Sequence, residues 1–337
     1  MSRASRFLVL VLALGLASPA GFFHAFPAAA QQGTPRGVVS AEEMEAATLR
    51  RGGVIDGRVS IPDPQATTLI QPEGKSWRNF HNQTLAWVGG VAVLGMLVIL
   101  VAFYMTRGRI RIEAGPSNRT ILRFNALERS NHWMVAGSFI VLALSGLNLT
   151  FGRHILLPVI GPETFTAVSL WGKIAHNYLA FPFTLGLVVM LLLWVKDNIP
   201  TKLDLEWIRQ GGGLIGHGHP PSRRFNAGQK MVFWITILGG GLVAASGYVL
   251  IFPFVGTDIA QMQLAHIIHS LLSVLMIAAM MAHIYIGSMG MEGAFDAMSS
   301  GEVDLNWAKE HHSLWVEDEL AKGQGSMPTS AKVAGAD

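Results

Sequence analysis

Two histidines begin and end an almost wholly apolar stretch near the end of the chain, HSLLSVLMIAAMMAH, residues 269–283. At about 100° per residue, the steps from His269 to His283 make about 1400°, only about 40° short of four helical turns. The two imidazoles therefore lie on nearly one face of a helix, about 21 Å apart along its axis. One cofactor cannot span that gap, so the spacing predicts axial ligands for two haems at different depths.

Composition restricts both the class of protein and the chemistry of its sites. Of the 337 residues, 50% are hydrophobic and 14% are charged, as in a membrane protein. The absence of cysteine excludes disulfides, iron–sulfur clusters, thiolate-ligated haem and covalently attached c-type haem from this chain. The formal charge of +3 comes from basic residues between apolar runs, and we expect no nucleic-acid partner.

The N-terminal part of the chain divides into two segments. Residues 1–30 combine two arginines, the apolar run FLVLVLALGL and small residues at Ala28 and Ala30, which is the pattern of a signal peptide cut after Ala30. An uncleaved first helix is the alternative, but an apolar run of about ten residues is short for a membrane span. Residues 31–84 are polar and lack a sustained apolar period, which predicts a loosely structured periplasmic segment.

Five apolar stretches follow, each long enough to cross about 30 Å of hydrocarbon as a helix. They are residues 85–105, 133–152, 172–195, 230–252 and 263–288. We therefore predict an all-α integral membrane protein. The first stretch is the N-terminal transmembrane helix, four more spans follow it, and residues 317–337 are a tail.

Charge in the connecting loops predicts the orientation. The stretches 106–131 and 196–230 each carry six lysines and arginines, whereas 153–171 has only Arg153 and 253–262 has none. Because basic loops stay in the cytoplasm, the first two stretches are predicted to be cytoplasmic. The mature N-terminus is then periplasmic and the C-terminus cytoplasmic, in the lipid of a bacterial inner membrane.

Each predicted haem iron needs a second ligand at a matching depth. His132 enters the membrane from the cytoplasm and is level with His283, whereas His176 enters from the periplasm and is level with His269. The predicted pairs are His132 with His283 on the cytoplasmic side and His176 with His269 on the periplasmic side. Two imidazoles saturate an iron, so such haems transfer electrons. Taken singly, each histidine could instead be a buried side chain satisfied by a neighbouring helix.

Other residues near these histidines have two possible roles. His266 is one turn from His269, where it could contact a haem propionate or water, or simply lie at the interface. Small residues could leave room for the haem edges, or serve close helix packing. These are Gly137, Ser138, Ser145, Gly146, Gly239 to Gly241, Ser246 and Gly247.

Loops and helices together resemble a known family. The segments are ERSNHWMVAGSFIVLALSGL (128–147), GKIAHNYLA (172–180), DNIP (197–200), FNAGQKMVFW (225–234), the helix from His269 to His283, and WAKEHHSLW (307–315). Over roughly residues 120–316 the chain resembles the cytochrome b, or gamma, subunit of membrane-bound respiratory formate dehydrogenase. The implied fold is a four-helix dihaem cytochrome b bundle within residues 106–316, to which this chain adds an extra N-terminal transmembrane helix at residues 85–105.

The resemblance implies a place in an oxidoreductase complex. A catalytic (alpha) subunit with molybdenum or tungsten would oxidise formate, and an iron–sulfur (beta) subunit would relay the electrons. This chain would pass them through two haem b groups to menaquinone or ubiquinone near the cytoplasmic side. The implied quinone-binding residues are Asn226, Ala227, Gly228, Gln229 and His283. Asn226 also fits a helix cap, and both roles could hold at once.

Other functions stay open. Related dihaem cytochromes serve nickel–iron hydrogenases and thiosulfate or polysulfide reductases, which would change the electron donor only. A haem-free transporter could use membrane histidines to carry protons or bind a metal, and a purely structural anchor would leave the four histidines unexplained. The adjacent histidines of HHSLW are expected to dock against a partner protein rather than bind a metal.

Overall fold

A computed structural model describes residues 72–213 and 218–322, with side chains from residue 76 onward. The predicted signal peptide, most of the predicted periplasmic segment and the end of the tail lie outside the described residues. All described side chains belong to one compact unit that begins at Ser76.

Five helices of this unit are long and apolar enough to cross a membrane. They are α1 (Ser76–Arg107), α2 (Ala126–Ile155), α3 (Leu157–Trp194), α5 (Ala227–Ile251) and α6 (Ile259–Gly290). Large apolar side chains on them face outward, among them Trp87 at 76% exposure and Leu192 at 75%. Such exposure is unfavourable in water but suits hydrocarbon, and the prediction of an all-α membrane protein with five spans is confirmed.

Short elements lie at one end of the bundle, between the long helices and after the last of them. They are β1 (Thr120–Leu122), α4 (Lys202–Arg209), α7 (Asp296–Ser299), β2 (Glu302–Asp304), α8 (Leu305–His311) and α9 (Ser313–Ala321). We call this end, where α2 and α5 begin and α3 and α6 end, the loop end. Its core is aromatic and includes Phe124, Trp194, Phe225, Trp307 and Trp315.

The first span begins earlier than the sequence predicted. The α-helix Pro72–Asn79 leads into a π-helical turn, Phe80–Thr84, and then into Leu85–Arg107. The prediction of loose structure was therefore wrong for residues 72–84. These residues are too polar to show an apolar period, but a proline suits the first position of a helix because its φ is already helical.

The predicted loop 153–171 is mostly helical as well. α3 begins at Leu157 and contains one break at Gly161, whose φ of 76° is followed by Pro162. Glycine adopts a positive φ at little cost, and proline then starts the next helical segment. The five predicted apolar stretches fall within the observed helices to within one residue, and the helices extend beyond them because their polar ends are helical too.

Glycines allow close approach between the long helices. A Cβ at Gly89 of α1 would lie 2.9 Å from Phe151 Cζ of α2 and 3.2 Å from Val274 Cγ1 of α6. A Cβ at Gly186 of α3 would collide with the Val135 side chain of α2. The extra helix α1 is therefore packed into the bundle rather than attached to it by a linker alone.

A two-stranded sheet joins the chain before α2 to the chain after α6. β1 and β2 are antiparallel, with Thr120 opposite Asp304. One carboxylate oxygen of Asp304 accepts hydrogen bonds from the backbone N–H and the hydroxyl of Ser117, at 2.7 and 2.8 Å. The other accepts the backbone N–H of Asn306 at 2.8 Å and caps α8.

The HHSLW segment docks on its own chain. His312 is fully buried, and its Nδ1–H donates to the Arg223 carbonyl at 2.8 Å. Burial lowers the pKa of His312 well below its ordinary value, so the imidazole is neutral. The expectation that these histidines dock against a partner was wrong for His312, because an apolar cluster that includes Trp307 and Trp315 already surrounds it.

Candidate functional site

Four histidines from three helices meet in two pairs. His132 of α2 faces His283 of α6 with ring centroids 6.2 Å apart, and His176 of α3 faces His269 of α6 at 6.0 Å. These are the pairs that the sequence predicted. The first pair lies toward the loop end and the second toward the opposite end, because α6 separates its two histidines by about 21 Å.

The spacing within each pair suits a metal ion between two imidazoles. A metal–nitrogen bond to histidine is about 2 Å long, and the nitrogen is about 1 Å from the ring centre, which puts the two centres about 6 Å apart. Among the described residues, no group of three or more histidine, aspartate or glutamate side chains could hold a metal ion. Two facing imidazoles at the observed spacing can serve as the two axial ligands of one haem iron.

Hydrogen bonds orient the imidazoles of the second pair. His176 Nδ1 lies 2.8 Å from the Ser145 hydroxyl, which itself donates to the Val141 carbonyl, so the Nδ1–H must be the donor. His269 Nδ1 donates to the Val243 carbonyl at 2.9 Å. Both Nε2 atoms therefore keep a free lone pair, which is the usual arrangement for a metal-bound histidine.

Two of the small residues lie directly beside these rings. A Cβ at Gly247 would be 3.0 Å from His269 Cε1, and a Cβ at Gly146 would be 3.6 Å from His176 Cε1. Gly239 and Gly240 instead pack against Met276 and Leu187 of neighbouring helices. Of these four glycines, two thus leave room beside an imidazole and two bring helices together.

The first pair is held differently. His132 Nδ1 is buried and has no hydrogen-bond partner within the described residues. Its ring meets the indole of Trp133 at 5.3 Å, edge to face, and the Trp133 N–H donates to the Met298 carbonyl at 2.8 Å. Packing rather than a hydrogen bond therefore orients His132.

The region that contains this site matches a known protein family. Residues 123–301, just over half of the chain, match the family model of prokaryotic cytochrome b561. The chain belongs to this family. The matched region contains all four paired histidines, and membership of this all-helical membrane family implies that the cytochrome binds haem b.

Three relatives carry related names. The cytochrome b556(fdo) subunit of formate dehydrogenase from Escherichia coli is 29% identical over 203 residues, covering 59% of this chain and 93% of the relative. The nitrate-inducible cytochrome b556(Fdn) subunit from the same organism is 27% identical, with 60% and 92% covered. The Haemophilus influenzae cytochrome b556 subunit is 24% identical, with 62% and 87% covered. The resemblance to formate dehydrogenase cytochromes is confirmed.

The loop with the sequence Asn-Ala-Gly-Gln forms the start of α5 in this cytochrome. Asn226 Oδ1 accepts the backbone N–H of Gln229 at 3.0 Å, and Gln229 Oε1 accepts that of Asn226 at 3.1 Å. The cap considered as one role of Asn226 is therefore present. Both side chains use their oxygens in it, and within the described residues neither amide NH₂ group makes a hydrogen bond.

The two middle residues of the loop serve packing. Ala227 is buried, and a Cβ at Gly228 would lie 3.0 Å from the Trp207 indole of α4. Next to the loop, Lys230 pairs with Asp204 at 2.9 Å. Desolvation opposes ionisation of Asp204, but hydrogen bonds from Lys230 and Thr201 outweigh it and lower the pKa of the carboxyl.

A buried ion-pair network that the sequence did not reveal lies one turn before His132. Glu128 accepts hydrogen bonds from Arg224 at 2.6 Å and from the Trp194 N–H at 2.7 Å. Arg224 also pairs with Asp197 at 3.0 Å. The network joins the start of α2, the end of α3 and the chain before α5. In the sequence, Glu128 belongs to the motif ERSNHW and precedes His132 by four residues.

Proposed function

We propose that this chain is the membrane cytochrome b subunit of a formate dehydrogenase complex, and that it passes electrons from an iron–sulfur subunit through two bis-histidine b haems to quinone. The single observation that carries the proposal is the pair of facing imidazoles at each end of one shared helix. The printed names of the relatives support formate as the ultimate electron source.

The residues of this chain have separate roles in the proposal. Haem b, when bound, would supply a one-electron redox centre at each histidine pair. His132 and His283 would hold one group, and His176 and His269 the other. Ser145 and the Val243 carbonyl would keep the second pair in the tautomer that presents Nε2.

The charges of the loops support one direction of electron transfer across the membrane. The loop end contains the arginine- and lysine-rich stretches, so it would face the cytoplasm. Electrons from a periplasmic catalytic subunit with molybdenum or tungsten would then enter at His176 and His269. They would leave at His132 and His283, where Asn226 and Gln229 can donate hydrogen bonds to a quinone carbonyl.

The decisive experiment is reduction of the purified complex by formate. We expect a molybdopterin subunit and an iron–sulfur subunit to copurify, and formate to reduce the b-type haem. Reduction by hydrogen but not formate would assign the chain to a hydrogenase, and coupling only to a sulfur-compound reductase would assign it there. A reduced-minus-oxidised spectrum without a b-type band would support the transporter alternative.

The Asn226→Asp variant separates the cap from the quinone contact. Aspartate caps a helix as well as asparagine does, but it lacks the amide donor. We expect quinone reduction to fall about tenfold, the effect of one hydrogen bond of roughly 1.4 kcal/mol. Stopped-flow kinetics should show unchanged reduction of the haems by formate.

The reverse exchange provides the control. Asp258 caps α6 at the opposite end of the bundle through the same type of capping box with Gln261. Asp258→Asn should leave quinone reduction at the wild-type rate. Equal rates for Asn226→Asp and the wild type would exclude the Asn226 amide from the quinone site.

Gly247→Ala should disturb one haem only. The added methyl group would press on His269, whose Cε1 would be 3.0 Å from it, and overpacking of this kind costs about 1–3 kcal/mol. We expect lower occupancy of the haem at His176 and His269, measured as haem per protein. Gly241→Ala is the control, because a Cβ there meets nothing within 4 Å; equal haem content in both variants would contradict the prediction.

A further inference from the structure

The helix α1 lies outside the region that matches the family, but it packs against the other helices of the bundle. The match begins at residue 123, and α1 ends at Arg107. Leu85 of α1 is fully buried, and Gly89 lets the helix approach α2 and α6 closely. The helix therefore has a fixed position beside α2 and α6.

Three rings meet where α1 begins. Trp77 and His81 of α1 stack with centroids 5.5 Å apart. His266 of α6 contacts both, at 5.4 Å from Trp77 and 5.5 Å from His81. We call Trp77, His81 and His266 the ring cluster.

Two ring nitrogens of this cluster have no partner. Trp77 Nε1 and His266 Nδ1 are buried and make no hydrogen bond within the described residues. A buried polar group left without a partner costs roughly 1–3 kcal/mol. Two such groups in one contact cluster therefore indicate an acceptor that the described residues do not provide.

The position of the ring cluster in the bundle indicates which hydrogen-bond acceptor these nitrogens would meet. His266 precedes His269 by three residues, which is about 4.5 Å along the helix and about 60° around it. It lies on the side nearer the start of α6, toward the end of the bundle opposite the loop end. Charged groups avoid the middle of a membrane, so the propionates of a haem held by His269 would point toward this end.

We propose that Trp77 and His266 donate hydrogen bonds to the propionate carboxylates of the haem held by His176 and His269. His266 does so in the tautomer with its proton on Nδ1, and His81 positions the Trp77 ring by stacking. The inference rests on the proposed haem-binding function. It gives α1 a role as a positioning element for one of the two haems.

The potential of that haem is the property these donors control. Hydrogen bonds to a propionate partly neutralise its negative charge. When a donor is lost, more of that negative charge remains, and it stabilises the ferric form of the haem relative to the ferrous form. Losing one donor should therefore move the reduction equilibrium about threefold toward the oxidised form. At 59 mV per tenfold change for one electron, that is a potential lower by about 28 mV.

The test is a redox titration of Trp77→Phe beside Trp87→Phe, in the complete complex. Both tryptophans lie on α1, but Trp87 is 76% exposed on its outer face and serves as the control. The haem to follow is the one missing from His269→Ala. We expect its potential to fall, or that haem to be lost selectively, only in Trp77→Phe.

A second pair of variants tests the other donor. His266→Leu removes the N–H and should lower the same potential, whereas His266→Gln keeps an N–H donor and should restore it. Unchanged potentials in Trp77→Phe and His266→Leu, with both haems present, would overturn this inference and leave the proposed function intact. Absence of b-type haem from the wild type would instead overturn the proposed function.

Discussion

Alanine at His132 and alanine at His283 will remove the same haem, and alanine at His176 or His269 will remove the other. Each pair of rings faces across about 6 Å, so under the proposed function both imidazoles of a pair would be needed to coordinate one iron. The ratio of haem to protein, from the reduced-minus-oxidised spectrum of each purified variant, should fall from two to about one.

Double variants make the pairing unambiguous. His132→Ala combined with His283→Ala should still bind one haem, whereas His132→Ala combined with His176→Ala should bind none. His154→Ala is the control, because His154 lies exposed near the end of α2 and belongs to neither pair. If His132→Ala and His176→Ala removed the same haem, the pairing would be wrong.

Breaking the buried pair between Glu128 and Arg224 should cause the largest loss of stability. The Glu128 side chain is only 6% exposed, so Arg224→Ala leaves a buried carboxylate without its cation. Removing one partner of such a pair costs about 3–5 kcal/mol. We expect a clearly lower free energy of unfolding in detergent, with weaker attachment of the chain before α5 to α2.

The neighbouring arginine provides a matched control for that variant. Arg223 pairs with Asp318 at 2.7 Å, but the side chains are 62% and 46% exposed. Water and salt screen such a pair, so Arg223→Ala should cost at most about 1 kcal/mol. If the two variants lowered the free energy of unfolding equally, the loss of one positive charge, rather than the burial of the ion pair, would determine the loss of stability.

Much of this architecture can be predicted from the lengths of the apolar runs and from the depth of the histidines in the membrane. Long apolar runs predict the five helices, and helical arithmetic places His269 and His283 on one face. His132 and His176 are then predicted as the partners of His283 and His269, because α2 and α3 enter the membrane from opposite sides. The same reasoning fails at polar helix ends, where Pro72 to Thr84 continue a helix without an apolar period.

The contacts that hold the ends of the bundle are less predictable. Glu128 and Arg224 are far apart in the chain and surrounded by other charges, so composition does not distinguish them from exposed residues such as Arg223. Burial decides which arginine matters, and burial depends on the aromatic core that the loops form together. The same holds for His312, which resembles an exposed tail residue until Trp307 and Trp315 enclose it.

The pairing of β1 with β2 has a consequence for biosynthesis. β1 is made before α2, but its partner strand leaves the ribosome only after α6, the helix that supplies one histidine to each pair. The strand before the first helix of the domain thus waits unpaired while four helices enter the membrane. Insertion of cofactor and closure of the domain therefore come only after α6 and β2 have been translated.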